Sequence, residues 1–232
     1  MFSRNSIMSN AEDLLTHRRD VTSGWYFDQA RALLDFAIRN LSATALVYAA
    51  LEARNSLERF VLEMSIAAID GRLTQEQVRM AQNQDGAFRL LRDAMNNYRQ
   101  QIEFTNIALD LCGNPFRVAI PDITSFRRLR TDLSDYCHFQ LDPIDMVGHP
   151  QSAWFSAGVA RVQDALDLIF NLKSQLNGVL QRDQMETEVR DVFDAFVGGQ
   201  IDAQTTRLRL QIMQPVLEQR LRRHRSFSHP QD

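Results

Sequence analysis

Lysine is nearly missing from this chain: of 26 basic residues one is a lysine, Lys173, and the other 25 are arginines. The arginines are spread over the whole length. That is the pattern of a GC-rich coding bias, not of local selection for planar forks on phosphate or carboxylate. A charge excess of one sign is missing too. The formal net charge is −3, so no global field draws the protein to nucleic acid or to an anionic membrane. Only two cysteines occur, Cys112 and Cys137, and with no CxxC pair the usual zinc and redox signatures are excluded. Both read as reduced, buried thiols of a cytosolic protein. Glycine (nine) and proline (six) are scarce, which favours long helices over short strands. No stretch approaches the roughly 18 apolar residues of a membrane span, and the N-terminal residues lack the apolar core of a signal peptide. A soluble, cytoplasmic protein is expected. A Gly-rich phosphate loop, a serine nucleophile elbow and HExxH are also missing, and no cofactor is expected.

What is present is helical periodicity. Ser42 is a candidate N-cap for a helix through "ATALVYAALEARNSLERFVLEMSIAAID", where Leu46, Ala50, Ala53, Leu57, Phe60, Val61, Met64 and Ala68 draw one apolar stripe. Before it, Trp25, Leu33, Phe36 and Ala37 lie at helical spacing. Gly71 is a plausible C-terminal cap, and Thr74 with Gln77 forms a capping box. A helix from about 86 to 111 turns Phe88, Leu91, Met95, Tyr98, Ile102 and Leu109 inward, with Gly113 past its end. "NPFRVAIPD" reads as an extended linker, after which Asp122 or Thr124 caps a helix over 123–138. The last long helix, 152–178, carries Phe155, Val159, Val162, Leu166 and Phe170 on one face. Two further helices follow, the second kinked by Pro215.

The fold class expected is all-α: an antiparallel four-helix up-and-down bundle with extra N- and C-terminal helices. Residues 1–22 form a polar leader, 23–180 the bundle, and 181–232 appended helices with a basic tail. Leu57, Phe60, Leu91, Leu133 and Leu166 should share the core.

Chemistry gathers around "LRTDLSDYCHFQL". On a helical wheel Phe126, Leu129, Leu133, Tyr136 and Cys137 make the buried stripe. Arg130 flanks it, while Arg127, Ser134 and His138 line the wetter side. Ser134 and His138 are four apart and can touch. In "EARNSLERF", Arg54 and Glu58 are an i, i+4 pair at the margin of an apolar stripe, where partial burial demands partners. The simplest reading is an intrahelical salt bridge; the alternative is a cross-helix cluster of Arg54, Glu58, Arg130 and His138. Asp142, Asp145 and His149 read as ordinary loop residues, so no metal site is expected. Arg207, Arg209, Arg220, Arg222, Arg223 and Arg225 make the C-terminal helix basic. That is a solvated face or a surface for RNA phosphates or a protein partner.

The helix with "ALEARNSLERFVLE" and the later one ending in "LSDYCHF" resemble the HEPN superfamily of helical-bundle domains, over roughly residues 25 to 180. The resemblance implies a dimeric, metal-independent RNase of bacterial toxin–antitoxin or phage-defence systems, with an antitoxin or other protein as partner. It assigns catalysis to His138, Arg130, Arg54 and Glu58, and RNA contacts to Arg127, Arg128 and Ser134. Active members carry the arginine and histidine four to six residues apart, whereas seven residues separate Arg130 from His138. Eight steps along a straight helix are about 12 Å of rise and about 80° of rotation. That spacing favours the other reading left open, a non-catalytic interaction or regulatory module.

Overall fold

A computed structural model describes residues 22–69, 73–83, 85–137, 153–176 and 178–227, with 216–227 described by backbone alone. All secondary structure among the described residues is helical. In chain order the helices are α1 (Ser23–Asn40), α2 (Ala43–Ala68), α3 (Gln75–Ala81), α4 (Gly86–Leu111), α5 (Ile123–Cys137), α6 (Ala153–Leu176), α7 (Thr187–Val197) and α8 (Ala203–Phe227), with a 3-10 turn at Arg182–Gln184. None is long and apolar enough to cross a membrane.

The boundaries follow from local chemistry. The Ser42 hydroxyl accepts the Ala45 amide at 3.3 Å. Thr74 and Gln77 exchange both bonds of the expected capping box. Asp122 caps α5 by accepting the Thr124 amide at 2.9 Å and the Ser125 hydroxyl at 2.7 Å; these bonds hold its carboxyl below the usual aspartate range. Gly113, at φ 67°, supplies the left-handed residue that ends α4. Cys112 beside it is exposed, not buried as expected, because it lies past the last residue of α4, and Cys137 is half-buried. Gly71 lies outside the described residues, and α8 continues through Pro215.

Two compact units make up the described chain. The first takes its residues from before Asn96 and from Pro121–Ser174; the second comprises Asn96–Ile120 and residues from Gln175 on. At 26 residues α4 is about 39 Å long, and the division runs through it. The two units interleave in the chain.

In the first unit α2 packs on α1 and on α5. Ala30, Leu34 and Ala37 of α1 meet Leu46, Ala49, Ala50 and Ala53 of α2, Leu133 of α5, and Val162, Ala165 and Leu166 of α6 in one cluster. All five residues expected in the core are buried, and Phe60 of α2 meets Phe126 of α5 at 6.1 Å between ring centroids. Helical spacing misplaced three aromatics. Trp25, Phe36 and Phe170 are 46%, 50% and 63% exposed; Ala30, Leu34 and Ala37 fill the buried face of α1, and Val162, Leu166, Ile169 and Leu172 that of α6. The α1–α2 contact is rich in alanine, with Leu34 and Leu46 among Ala30, Ala37, Ala49, Ala50 and Ala53. The N-terminus of α1 is buried through Ser23, whose amide and hydroxyl donate to the two Glu63 oxygens at 2.9 and 2.6 Å. The single lysine, Lys173, donates to that hydroxyl at 3.0 Å.

In the second unit Phe104 stacks edge-on against Phe193 at 5.1 Å, inside a cluster with Ile107, Met185, Val192, Phe196 and Leu210. Asn106 pins the extended linker by exchanging both its amide groups with the Val118 backbone, at 3.0 and 2.8 Å. Asp110 binds Arg117 at 2.6 Å and Arg207 at 3.0 Å. One arginine of the basic helix is therefore spent on structure.

Leu133 is fully buried. Leu133→Ala should cost about 2–5 kcal/mol in chemical denaturation, the transfer loss plus the cavity left behind. A loss below about 1 kcal/mol would show that this leucine is not central.

Candidate functional site

Three of the four residues expected in a polar cluster come together. Glu58 Oε1 accepts the Nε–H of Arg54, one turn earlier on α2, at 3.1 Å, and the Nε–H of Arg130, on α5, at 2.6 Å. The intrahelical Arg54–Glu58 bridge is present, and Arg130 extends it across helices. The geometry depends on arginine, because Nε and the terminal nitrogens can serve different carboxylates. Arg130 uses this capacity: its Nη1 pairs with Asp85, the residue before α4. Burial alone would lower the Arg130 pKa, but the bonds and charges of Glu58 and Asp85 outweigh it and hold the group more firmly protonated than usual.

The guanidinium also lies over the Phe88 ring, 5.6 Å from its centroid, and Arg127 reaches the same ring at 5.9 Å. Phe88 is buried, so its face is a fixed apolar seat for the cations. Arg127 and Arg128 are exposed. The Ser134 hydroxyl donates to the Arg130 carbonyl at 2.7 Å, a bond within its own helix. At the end of α5, burial raises the Cys137 thiol pKa, Arg54 lowers it and Glu58 raises it further. The last turn of α5 therefore lies within electrostatic reach of the Arg54–Glu58 pair. His138, the next residue, lies outside the described residues, as do Phe139 and the loop residues Asp142, Asp145 and His149.

Above this cluster opens a cavity of about 420 Å³, whose wall includes Tyr26, Arg54, Asn55, Glu58, Asp85 and Arg130. The surface is mixed, with arginines and carboxylates side by side and amide and phenol groups at its edge. It suits a small anion or a phosphate of a larger chain better than an apolar ligand. Among the described residues no three His, Cys, Asp or Glu side chains gather where they could hold a metal ion.

Asp85 escaped the sequence reading, and Phe88 was expected only as an inward-facing residue of α4. The signal for Asp85 was the Asp-Gly pair in "NQDGAF", a turn marker directly before an apolar run. No comparable signal announced that this turn would face α5. No family model, curated protein or solved structure matches the chain, so the cluster's capabilities rest on its own chemistry.

Glu58 pairs with two guanidinium groups whose side chains are only 21% and 18% exposed. A double-mutant cycle of Glu58→Gln and Arg130→Met, read by urea denaturation, should return a coupling of about 1–3 kcal/mol. A coupling near zero would mean that solvent screens the pair completely.

Proposed function

We propose that this chain is a HEPN-like helical protein that cleaves RNA without a metal ion. The observation that carries this reading is the joining of Arg54 and Arg130 by one carboxylate, on the wall of an open cavity and on the helix that leads into His138. The reading places α2, α4, α5 and α6 in an up-and-down bundle and has the protein act as a homodimer in bacterial toxin–antitoxin or phage-defence systems.

The chemistry asks for two things. A proton must leave a ribose 2′-hydroxyl so that its oxygen can attack the neighbouring phosphorus, and a proton must reach the departing 5′-oxygen. His138, with an unperturbed pKa near 6.5, is the residue suited to either transfer at neutral pH. As the phosphorane-like transition state gains charge, Arg130 and Arg54 stabilise it. Glu58 orients both arginines, since its bonds take the Nε of each and leave the terminal nitrogens of Arg54 outside that contact. Arg127 and Arg128 are solvent-facing cations on the same helix, suited to flanking phosphates.

A second reading rests on a different feature. Arg130 pairs with two carboxylates, which suits a structural tie in a non-catalytic interaction or regulatory module equally well.

Purified protein incubated with mixed RNA in EDTA separates the two. The ribonuclease reading expects cleavage that survives the chelator and follows a bell-shaped pH profile. His138→Ala should abolish it without loss of stability, and Arg130→Ala should lower kcat more than it raises KM. Equal, background-level cleavage by wild type and His138→Ala would remove the ribonuclease reading in favour of the interaction module.

A further inference from the structure

We infer that Asp85 is a displaceable counterion that keeps the Arg130 anion site closed until a phosphate takes its place. The inference deepens the proposed function and rests on its assignment of the cavity to phosphate.

The two carboxylates on Arg130 are held very differently. Glu58 sits in the middle of α2 and binds arginines of two helices through one oxygen. Asp85 sits on the turn before α4, its side chain 46% exposed, and its ion pair is with Arg130 alone among the described residues. Moving the Glu58 carboxylate would break two ion pairs on a packed helix. The Asp85 carboxylate can leave by rotating a short side chain into solvent, with no helix displaced.

The backbone under Asp85 is specifically arranged. Asp85 has φ 61°, a left-handed conformation that glycine adopts most easily and that aspartate and asparagine tolerate. The next residue must be glycine, because a Cβ on Gly86 would run into the Met80 carbonyl at the end of α3. The Gly86 amide closes the turn on the Asn83 carbonyl at 2.9 Å. The turn is thus fixed, and it delivers a carboxylate at a position where an unsubstituted backbone would carry less strain.

The electrostatics point the same way. Arg54, Arg59 and Arg130 line the cavity against Glu58 and Asp85. With the Asp85 carboxylate in place the wall is close to balanced; with it swung away the balance shifts by a full charge towards cation. An incoming phosphate offers Arg130 the same kind of charge-assisted bond that Asp85 makes. It can also bond the terminal nitrogens of Arg54. The exchange is therefore favourable for a phosphate and unfavourable for a neutral ligand, which makes Asp85 a selectivity device as well as a latch.

The test is a titration of the full-length, arginine-labelled protein with inorganic phosphate, followed by the NMR signals of the arginine Nε–H groups. Asp85→Asn removes the charge while keeping shape and tolerance for the left-handed backbone. Asp85→Gly removes it with no conformational demand at all, so at least one variant keeps the turn. Both should bind phosphate about tenfold more tightly than wild type, equivalent to about 1.4 kcal/mol. Affinity unchanged or reduced in both variants would overturn the inference, as would the lack of saturable phosphate binding in all three proteins. Because the assay contains no RNA, the two proposals fail separately. Tighter phosphate binding without RNA cleavage would keep the latch and remove the ribonuclease. RNA cleavage without tighter binding in the variants would do the reverse.

Discussion

A single carboxylate, Glu58, holds the candidate site together. It is shared by Arg54 on its own helix and Arg130 on α5, so its charge works only if α2 and α5 are packed at the right depth and register. The packing is supplied by apolar contacts nearby, Phe60 against Phe126 and the cluster around Leu133. Those contacts are non-directional and would tolerate small slides. The shared ion pair is directional, and it selects one arrangement among those that the hydrophobic contacts allow. Its energetic margin is modest, because partly desolvated charges recover in pairing little more than they lose in leaving water. Its value lies in fixing where two cations stand.

That placement makes the site poised, with its charges already engaged. A lone guanidinium at this depth would be costly. A guanidinium bound to two carboxylates is stable, held over an aromatic face, and unavailable until one carboxylate yields. The contrast with Asp110 is instructive. There, too, one carboxylate binds two arginines, Arg117 and Arg207, yet one partner comes from the extended linker and one from α8. The same chemistry ties strands of chain together in the second unit and lines a cavity in the first. Surroundings, not residue type, separate a brace from a candidate site.

The sequence was most readable where physics is local. Ser42, Thr74 with Gln77, Asp122 and Gly113 end or start helices through bonds within a few residues of themselves, and the expected limits of α2, α4, α5 and α6 fall within two residues of those observed. The arginine–glutamate pair was readable for the same reason, and its link to Arg130 followed from an unsatisfied charge at the edge of an apolar stripe. What failed was anything decided by a neighbour distant in sequence. Trp25, Phe36 and Phe170 fit helical spacing but are exposed, while Ala30, Leu34, Ile169 and Leu172 are buried on the same helices, because which face is covered depends on both partners at once. Asp85 could be recognised as a turn residue, while its role as a partner of Arg130 depended on where α5 would pass.

The account's central claim is that Arg54 and Arg130 act as one anion site, and it can be tested directly on the protein in solution. An RNA oligonucleotide with 2′-O-methyl groups throughout cannot be cut by attack of its own hydroxyl, so binding can be watched without turnover. Titrated into arginine-labelled protein, it should shift the Nε–H signals of Arg54 and Arg130 together, with one saturation curve, and the shifts should fade as salt is raised. If only arginines of α8 such as Arg209 respond, or if Arg54 and Arg130 respond independently of each other, the shared carboxylate is a structural tie and the claim is wrong.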